Sequence, residues 1–218
     1  MRIISEQLFI GNPFCEGGHY SYDWEFLMDI YKSVVKKDMA VLEIGSSNFK
    51  KTQELSRYCK KLIGIEIDVN KAFKSTDNIE IINADWQDLT SILGDNSIDM
   101  AISSHVLEHV PNDLKAINET YCILKKGGQF LFITPNRQRL TRCIGRLFNF
   151  EHKFLFAEHI REYTEDSITR LISNSKFTNY IVRPIVFGLH SGKFMFYLKE
   201  CPSVFKKFAN FLEVQLIK

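Results

Sequence analysis

The stretch Val41-Leu42-Glu43-Ile44-Gly45-Ser46-Ser47 decides which fold this chain adopts. A mostly apolar run, Met39–Ile44, leads directly into one glycine and two serines. The apolar run predicts a buried strand, and the small residues after it predict a tight turn that lets the backbone approach a ligand. A segment of helical length begins at Lys50, so this stretch predicts the first strand–turn–helix unit of an α/β protein.

The same unit repeats along the first two thirds of the chain. Short apolar runs rich in branched side chains predict strands, and the mixed polar and apolar segments between them predict helices. Alternating strands and helices are typical of a parallel sheet covered on both faces. The predicted strands are Met39–Ile44, Leu62–Ile67, Ile79–Ile82, Ile98–Ser103 and Gln129–Thr134, and the predicted helices are Lys50–Cys59, Val69–Lys74 and Asp113–Leu124, with Lys125–Gly128 ending the last helix.

The flanking segments predict further helices and a hairpin. Ser21–Val35 has the apolar stripe of an amphipathic helix, and a second helix is expected over Thr164–Lys176, with a threonine as its cap. Two strand-like runs, Tyr180–Leu189 and Lys193–Lys199, are joined by a short link containing glycine, which predicts an antiparallel hairpin. The tail Pro202–Ile217 has phenylalanines at helical spacing and predicts a last helix.

Length and composition limit the class of protein. The 218 residues suit one domain, and 45% hydrophobic residues are enough to form a core, which excludes disorder. A net charge of +2 is too balanced to indicate nucleic-acid binding. No apolar run reaches the ~18–20 residues of a membrane span, and the N-terminus lacks the core of a signal peptide. The five cysteines are scattered without C-x-x-C spacing, which argues against disulfides and a zinc site and predicts a cytoplasmic protein.

Polar side chains follow four successive predicted strands. Ligands of open parallel sheets bind beyond the carboxyl ends of the strands, so these residues are candidates for a site. Glu66 lies twenty-one residues after Gly45, near the ~20-residue offset at which a carboxylate reaches ribose hydroxyls. Asp85 is placed to accept from an exocyclic amine beside Trp86, and Ser103-Ser104-His105 follows the fourth strand. Each residue alone fits an ordinary turn or core position, but together they predict nucleoside binding.

Five motifs, taken as a set, carry a resemblance to a known family. They are Val41–Ser47, Leu62–Asp68, Asn83-Ala84-Asp85, Ile98–Val110 and Leu124–Gly128. In this order they resemble the motifs of class I S-adenosylmethionine-dependent methyltransferases, most closely the small-molecule group that contains the ubiquinone-biosynthesis C-methyltransferases. The resemblance implies a Rossmann-like α/β fold: a seven-stranded, mostly parallel sheet with helices on both faces and an antiparallel C-terminal hairpin strand. It also implies S-adenosyl-L-methionine as the cofactor.

The resemblance further implies roles for individual side chains. Glu66 would hold the ribose hydroxyls, Asp85 would bind the adenine amino group, and Trp86 would flank the adenine ring. Ser103 and His105 would lie near the sulfonium. The whole implied cofactor-binding set is Glu43, Gly45, Ser46, Ser47, Glu66, Ile67, Asp85, Trp86, Ser103 and His105.

A rival motif overlaps the fourth strand end. His105-Val106-Leu107-Glu108-His109 matches H-x-x-E-H, the inverted motif of a class of zinc hydrolases. That chemistry needs both imidazoles on one helix. Pro111 favours the first turn of a helix, so the next helix is expected to begin there and to exclude both histidines. No third ligand is evident, and the sequence predicts no metal.

The segment 136–163 is predicted to be an insertion over the methyl acceptor, within one domain of 1–218 whose residues 1–38 form an N-terminal helical cover. The insertion shows no clear helical period and combines arginines with phenylalanines, which suits a phosphate or carboxylate beside an apolar or sugar face. It fits a solvated basic loop equally well. The predicted catalytic residues are His105 and His159, and the predicted substrate-binding residues are Arg137, Arg139, Arg142, His152 and Arg161.

Two alternative functions remain beside methyl transfer to a small molecule. A NAD(P)-dependent oxidoreductase is disfavoured because no G-x-G-x-x-G follows the first strand. A catalytically degenerate cofactor-binding or partner-binding module is kept, since Ser47 and Phe49 stand where the family often has glycines. The predicted partner is a small-molecule acceptor, with anionic, glycan-linked and lipid-linked compounds left open, and no nucleic acid. Membrane contact through the Phe-Lys stripe of the tail is less favoured than packing on the sheet.

Overall fold

The computed structural model describes residues 3–5, 8–11, 27–46, 49–68, 75–149, 159–190, 195–198 and 200–218. The strands are β1 (Ile3–Ser5), β2 (Leu8–Gly11), β3 (Ala40–Ile44), β4 (Lys61–Glu66), β5 (Ile79–Asn83), β6 (Ile98–Ser104), β7 (Leu124–Pro135), β8 (Asn179–Ile185), β9 (Phe187–His190), β10 (Met195–Leu198) and β11 (Phe211–Ile217). The helices are α1 (Met28–Val34), α2 (Phe49–Ser56), α3 (Leu89–Leu93), α4 (Asp113–Ile123), α5 (Leu140–Leu147) and α6 (Glu165–Ser173). Short 3₁₀ turns lie at Trp86–Asp88, Leu107–His109 and Ser203–Phe208.

Seven strands form the main sheet in the order β5-β4-β3-β6-β7-β11-β8. The neighbours from β5 to β7 pair in parallel, whereas β11 runs antiparallel to both β7 and β8. This arrangement confirms the predicted fold class. The chain adds β4 and β5 on one side of β3 and later β6 and β7 on the other, so the strand order reverses between β3 and β6. Ligands of such sheets bind at this reversal, beyond the carboxyl ends of the strands.

The main sheet is buried on both faces. Successive residues of a strand point to opposite faces, so each strand contributes to two hydrophobic clusters. Val41 on β3 belongs to one cluster and Leu42 to the other, and Leu131 and Phe132 on β7 divide in the same way. Burial of both faces explains why the strands appear in the sequence as nearly continuous apolar runs.

The prediction of a C-terminal helix is wrong. The tail forms the 3₁₀ turn Ser203–Phe208 and then strand β11. β11 pairs along its whole length with β7 on one side and with β8 on the other, and Val214 and Leu216 are fully buried. Pairing with two neighbours satisfies the backbone groups of the segment on both edges, and this tertiary effect overrides the helical spacing of its phenylalanines.

A second, antiparallel sheet has the order β1-β2-β10-β9. The predicted hairpin is confirmed as β9 and β10, which pair in this sheet. β1 and β2 lie in the segment 1–38, which therefore contributes strands as well as the predicted helix. That helix is present as α1, while residues 21–26 of its predicted range and the predicted helix Val69–Lys74 lie outside the described residues.

Two local predictions between the sheets are also corrected. The insertion 136–163 contains helix α5, for which the sequence shows no clear period. Helix α4 ends at Ile123, just before Lys125–Gly128, and Gly127 has the left-handed φ of +77°. The stretch nevertheless lies within β7, where the pairing with β6 shifts register between Ile98 and Met100. Among the described residues, no helix is both long and apolar enough to cross a bilayer.

Candidate functional site

The turn after β3 lies close to the turn after β6. Gly45 has φ +79°, in the left-handed region that residues with a side chain rarely adopt. A Cβ atom built on Gly45 would lie 2.4 Å from Cγ2 of Val106. Gly45 and the fully buried Ser46 both donate their backbone N–H groups to the carbonyl oxygen of Ile65, at 3.0 Å each. The glycine is therefore required both by its conformation and by the close approach of the β6 turn.

Glu66 ends β4 beside this turn. Its side chain is 8% exposed, and Oε1 accepts the backbone N–H of Asp68 at 3.0 Å. Asn83 donates its side-chain amide to the carbonyl oxygen of Glu66 at 2.7 Å, which ties the end of β5 to the end of β4. The next residue, Ile67, is 68% exposed, so an apolar side chain is uncovered directly after the carboxylate.

Asp85 follows β5 on the neighbouring strand end. Asn83 at the end of β5 pairs with Glu66, and Asp85 comes two residues later in the sequence. Its Oδ1 accepts the backbone N–H of Gln87 at 2.8 Å and so caps the 3₁₀ turn Trp86–Asp88. The two carboxylates thus follow adjacent strands at the same edge of the sheet, as the sequence predicts.

The predicted contact of Trp86 with adenine is corrected. Trp86 is 3% exposed and belongs to the hydrophobic core. Its indole N–H donates to Oγ1 of Thr120 on α4 at 2.8 Å, and its ring packs edge-on against Phe130 with centroids 5.8 Å apart. A ring enclosed in this way has no face to offer a ligand, so Trp86 is a core residue.

Glu43 is buried on β3, and its partners lie on α2. Oγ1 of Thr52 donates to Oε2 of Glu43 at 2.6 Å, and Nζ of Lys51 lies 3.4 Å from Oε1. Any effect of this carboxylate on the turn after β3 is therefore indirect, since its observed contacts fix α2 against the strand.

Ser103 and His105 have different surroundings at the end of β6: the first lies within the sheet and the second in the turn that follows. Ser103 is buried in the sheet between Ile44 and Phe132. His105 has a left-handed backbone, with φ +56°, and donates its N–H to the carbonyl oxygen of Ile133 at 2.9 Å. Its ring packs edge-on against Phe211, with centroids 5.1 Å apart. The left-handed residue turns the chain sharply at the end of β6 and brings Val106 onto Gly45.

Comparisons with known proteins agree with this arrangement. Residues 42–132 match the family of methyltransferase domains. A probable S-adenosylmethionine-dependent methyltransferase of Mycolicibacterium smegmatis is 26% identical over 140 residues, covering 63% of this chain and 51% of that protein. The ubiquinone/menaquinone biosynthesis C-methyltransferase of Brucella suis is 40% identical over 55 residues, 25% of this chain and 20% of that protein. The chain thus spans about half or less of these curated relatives.

Residues 42–132 carry a methyltransferase domain, and the chain is similar to S-adenosylmethionine-dependent methyltransferases. A solved S-adenosylmethionine-dependent methyltransferase of Thermotoga maritima has the same fold, with a TM-score of 0.61 and 20% identity over 88% of this chain and 86% of that one. The family and fold imply S-adenosylmethionine as the cofactor. The described residues of the methyltransferase fit this group, since Glu66 and Asp85 follow adjacent strands at one edge of the sheet and neither forms an ion pair among those residues.

A buried network lies next to His105 in the methyltransferase. The fully buried Glu108 accepts a hydrogen bond from Thr134 at 3.1 Å, and its Oε1 lies 3.5 Å from Nδ1 of His105. Nδ1 of His159 lies 3.2 Å from Oε1 of Glu162. Burial would raise the pKa of Glu162, but hydrogen bonds from His159 and Arg139 and the charge of nearby Arg142 lower it to about 2. Sequence reasoning missed Glu162, because no local pattern links it to Arg139 and Arg142, which lie 23 and 20 residues earlier in the chain.

The predicted substrate-binding arginines of the methyltransferase are mostly engaged inside the protein. Arg139 and Arg142 are buried and both form ion pairs with Glu162. Arg161 donates to the carbonyl oxygens of Val110 and Pro111 and pairs with Asp113. These three side chains are therefore structural, and this part of the prediction is corrected. Arg137 is exposed, and the remaining predicted residues Ser47 and His152 lie outside the described residues.

Proposed function

We propose that the methyltransferase transfers a methyl group from S-adenosylmethionine to a small-molecule acceptor, with the cofactor across the ends of β3, β4 and β5 and the acceptor beside the end of β6. The observation that carries this proposal is the contact between Gly45 and Val106 at the reversal of strand order. It holds together the turns of both halves of the sheet at the place where open α/β sheets bind ligands.

The cofactor would contribute a methyl group already activated by the sulfonium. Glu66 accepts both ribose hydroxyls, and Asp85 accepts from the adenine amino group. Ile67, and not Trp86, contacts the adenine ring, because its exposed side chain offers an apolar surface beside both carboxylates. Ser46, buried under the turn, supports Gly45 and does not itself touch the cofactor.

The acceptor is positioned by His105 and by Arg137. His105 follows β6 directly, and its ring is held by Phe211, so it contacts the acceptor from a fixed position. An anionic group on the acceptor would pair with Arg137, since the other predicted arginines are engaged internally. The similarity to the Brucella suis C-methyltransferase supports methyl transfer in general and does not identify the acceptor, because it spans only 55 residues.

Calorimetric titration with S-adenosylmethionine and with NAD tests the cofactor. We expect saturable binding of the first alone. Hydrogen bonds to charged groups contribute ~1.5–3 kcal/mol, so Glu66→Ala and Asp85→Ala should each weaken binding about 10- to 100-fold. Glu80→Ala is the control, because that carboxylate of β5 forms an exposed pair with Lys61 at 2.6 Å. Unchanged affinity in the first two variants would contradict the proposed roles.

Formation of S-adenosylhomocysteine in the presence of candidate acceptors tests the proposed transfer of the methyl group. Phenolic, carboxylate, phosphorylated, sugar and lipid-linked compounds are compared at equal concentration. His105→Gln should lower kcat, whereas Arg137→Gln should raise KM for anionic acceptors and leave neutral ones unaffected. Binding of S-adenosylmethionine without turnover on any class would favour the degenerate binding module.

A further inference from the structure

A cluster of metal-ligand side chains lies beside the proposed acceptor position. Glu108 and His109 belong to the 3₁₀ turn after β6, and His159 begins the segment that leads into α6. One ligand atom from each of these three residues lies within 4.8 Å of the others. Two imidazoles and one carboxylate thus converge on a single point from segments far apart in sequence.

Glu108 is the reason to expect a cation at this point. Its side chain is 0% exposed, and Oε1 accepts no hydrogen bond from the described residues. Among the described residues, Nδ1 of His105 lies 3.5 Å from this oxygen and Nε2 of His159 lies 3.9 Å from it. A buried carboxylate oxygen that lacks a hydrogen bond destabilises a fold, unless a positive charge lies close to it.

His159 has the orientation of a metal ligand. Its Nδ1 lies 3.2 Å from Oε1 of Glu162, and the other oxygen of Glu162 accepts from Arg139 at 2.9 Å. Metal-binding histidines typically donate one ring nitrogen to a carboxylate, which fixes the tautomer and leaves the other nitrogen for the metal. Here that other nitrogen, Nε2, faces Glu108. The ring of His109 packs edge-on against His159, with centroids 4.8 Å apart.

We propose that Glu108, His109 and His159 bind one divalent transition-metal ion of the zinc class. Two histidines and one glutamate form a donor set that zinc uses with a fourth position left for water or another ligand. Bonds of about 2.0–2.2 Å in a tetrahedron bring ligand atoms to about 3.3 Å of one another. The observed spread of up to 4.8 Å needs only small side-chain rotations to reach this distance.

This set differs from the inverted zinc motif in the sequence. The 3₁₀ turn Leu107–His109 does not place His105 and His109 on one helical face, and the third ligand comes from His159. Because Ile160 donates its N–H to the carbonyl oxygen of Glu108 at 3.0 Å, the metal would reinforce an existing junction between the β6 turn and the segment before α6. Binding should therefore stabilise the folded state, independently of the methyl acceptor.

Metal titration of the untagged, chelator-treated protein tests the site. We expect one Co²⁺ per chain with the visible absorption of a tetrahedral complex, displacement of Co²⁺ by Zn²⁺, and a Zn²⁺-dependent rise in Tm that Mg²⁺ does not produce. His109→Asn and His159→Asn should abolish the absorption and the Tm rise. Glu162→Gln should lower Zn²⁺ affinity about 10- to 100-fold, since it removes the carboxylate that supports His159. Because it also removes the partner of Arg139 and Arg142, its Tm is compared with and without metal.

His190→Asn is the matched control, because that histidine lies on β9 in the second sheet. It should bind Co²⁺ as the unaltered protein does. Circular dichroism and cooperative thermal unfolding of the metal-free samples report whether each variant is folded and keep this test separate from the proposed function. Absence of stoichiometric Co²⁺ binding by the unaltered protein, or unchanged binding by His109→Asn, would overturn the proposal.

Discussion

Gly45 and Val106 are in such close contact that a Cβ on the glycine would lie 2.4 Å from Cγ2 of the valine. The contact joins the turn after β3 to the turn after β6, the two strands between which the order of the sheet reverses. The geometry of the two turns thus depends on one residue without a side chain and on one branched residue packed against it.

Gly45→Ala should destabilise the methyltransferase and weaken cofactor binding. A left-handed conformation costs a residue with a side chain ~1–2 kcal/mol, and the clash with Val106 adds to this cost. Gly127→Ala is the matched control, because Gly127 has φ +77° and no atom within 4 Å of its built Cβ. Urea unfolding should give a larger loss for Gly45→Ala. Adding Val106→Ala should recover part of the difference, and equal losses at the two glycines would contradict the role of the contact.

Thr120→Val should destabilise the fold and leave cofactor affinity unchanged. The variant removes the acceptor of the Trp86 indole N–H, and a buried donor left unsatisfied costs ~1–3 kcal/mol. Thr90→Val serves as the control, because Oγ1 of Thr90 is buried and makes no hydrogen bond among the described residues. Urea unfolding and calorimetric titration measure the two effects. A marked loss of S-adenosylmethionine affinity would instead indicate that Trp86 contributes to cofactor binding.

Ile67→Ala should weaken cofactor binding and leave the stability of the fold nearly unchanged. Because Ile67 is 68% exposed, its truncation should leave the free energy of unfolding nearly unchanged. If its side chain covers adenine, the lost apolar contact amounts to about 1–2 kcal/mol, which is roughly 5- to 30-fold in affinity. Ile92→Ala, at an exposed position of α3, should affect neither quantity. The same affinity in both variants would exclude Ile67 from the adenine contact.

Asp99 should make stability depend on pH in the acid range. Burial works to raise the pKa of Asp99, but hydrogen bonds from Lys125 and from the backbone of Ala40 outweigh it and hold the pKa below its ordinary value. The folded state therefore binds fewer protons than the unfolded state. The stabilisation is complete above the ordinary carboxyl pKa of ~4 and is lost as the pH falls toward the lower folded value.

Asp99→Asn should reduce this acid sensitivity and lower stability at neutral pH. Urea midpoints between neutral pH and about pH 3 measure both effects. Asp88→Asn is the control, because the pair of Asp88 with Lys115 at 2.9 Å is exposed and contributes little. The same pH profile in the Asp99 variant and in the unaltered protein would contradict the assignment.

The parts of the site that follow strand ends were predictable, because they depend on local pattern. Gly45, Glu66 and Asp85 each follow a short apolar run, and such runs become parallel strands whose carboxyl ends share one edge. The tail, by contrast, was predicted as a helix. The tail forms β11 because it pairs with both β7 and β8 and lies between them in the sheet. No residue pattern within the tail itself indicates this position.

The sequence by itself determined the α/β class, the strand ends that carry the proposed cofactor residues, and the resemblance to methyltransferases, because each depends on residues close together in the chain. Only the tertiary structure decided the contacts of side chains whose partners are distant in the sequence. It enclosed Trp86 beside Thr120, paired Arg139 and Arg142 with Glu162, and brought His159 to Glu108. A charged or aromatic side chain acquires its role from whatever packs against it, and that neighbour is chosen by the fold as a whole.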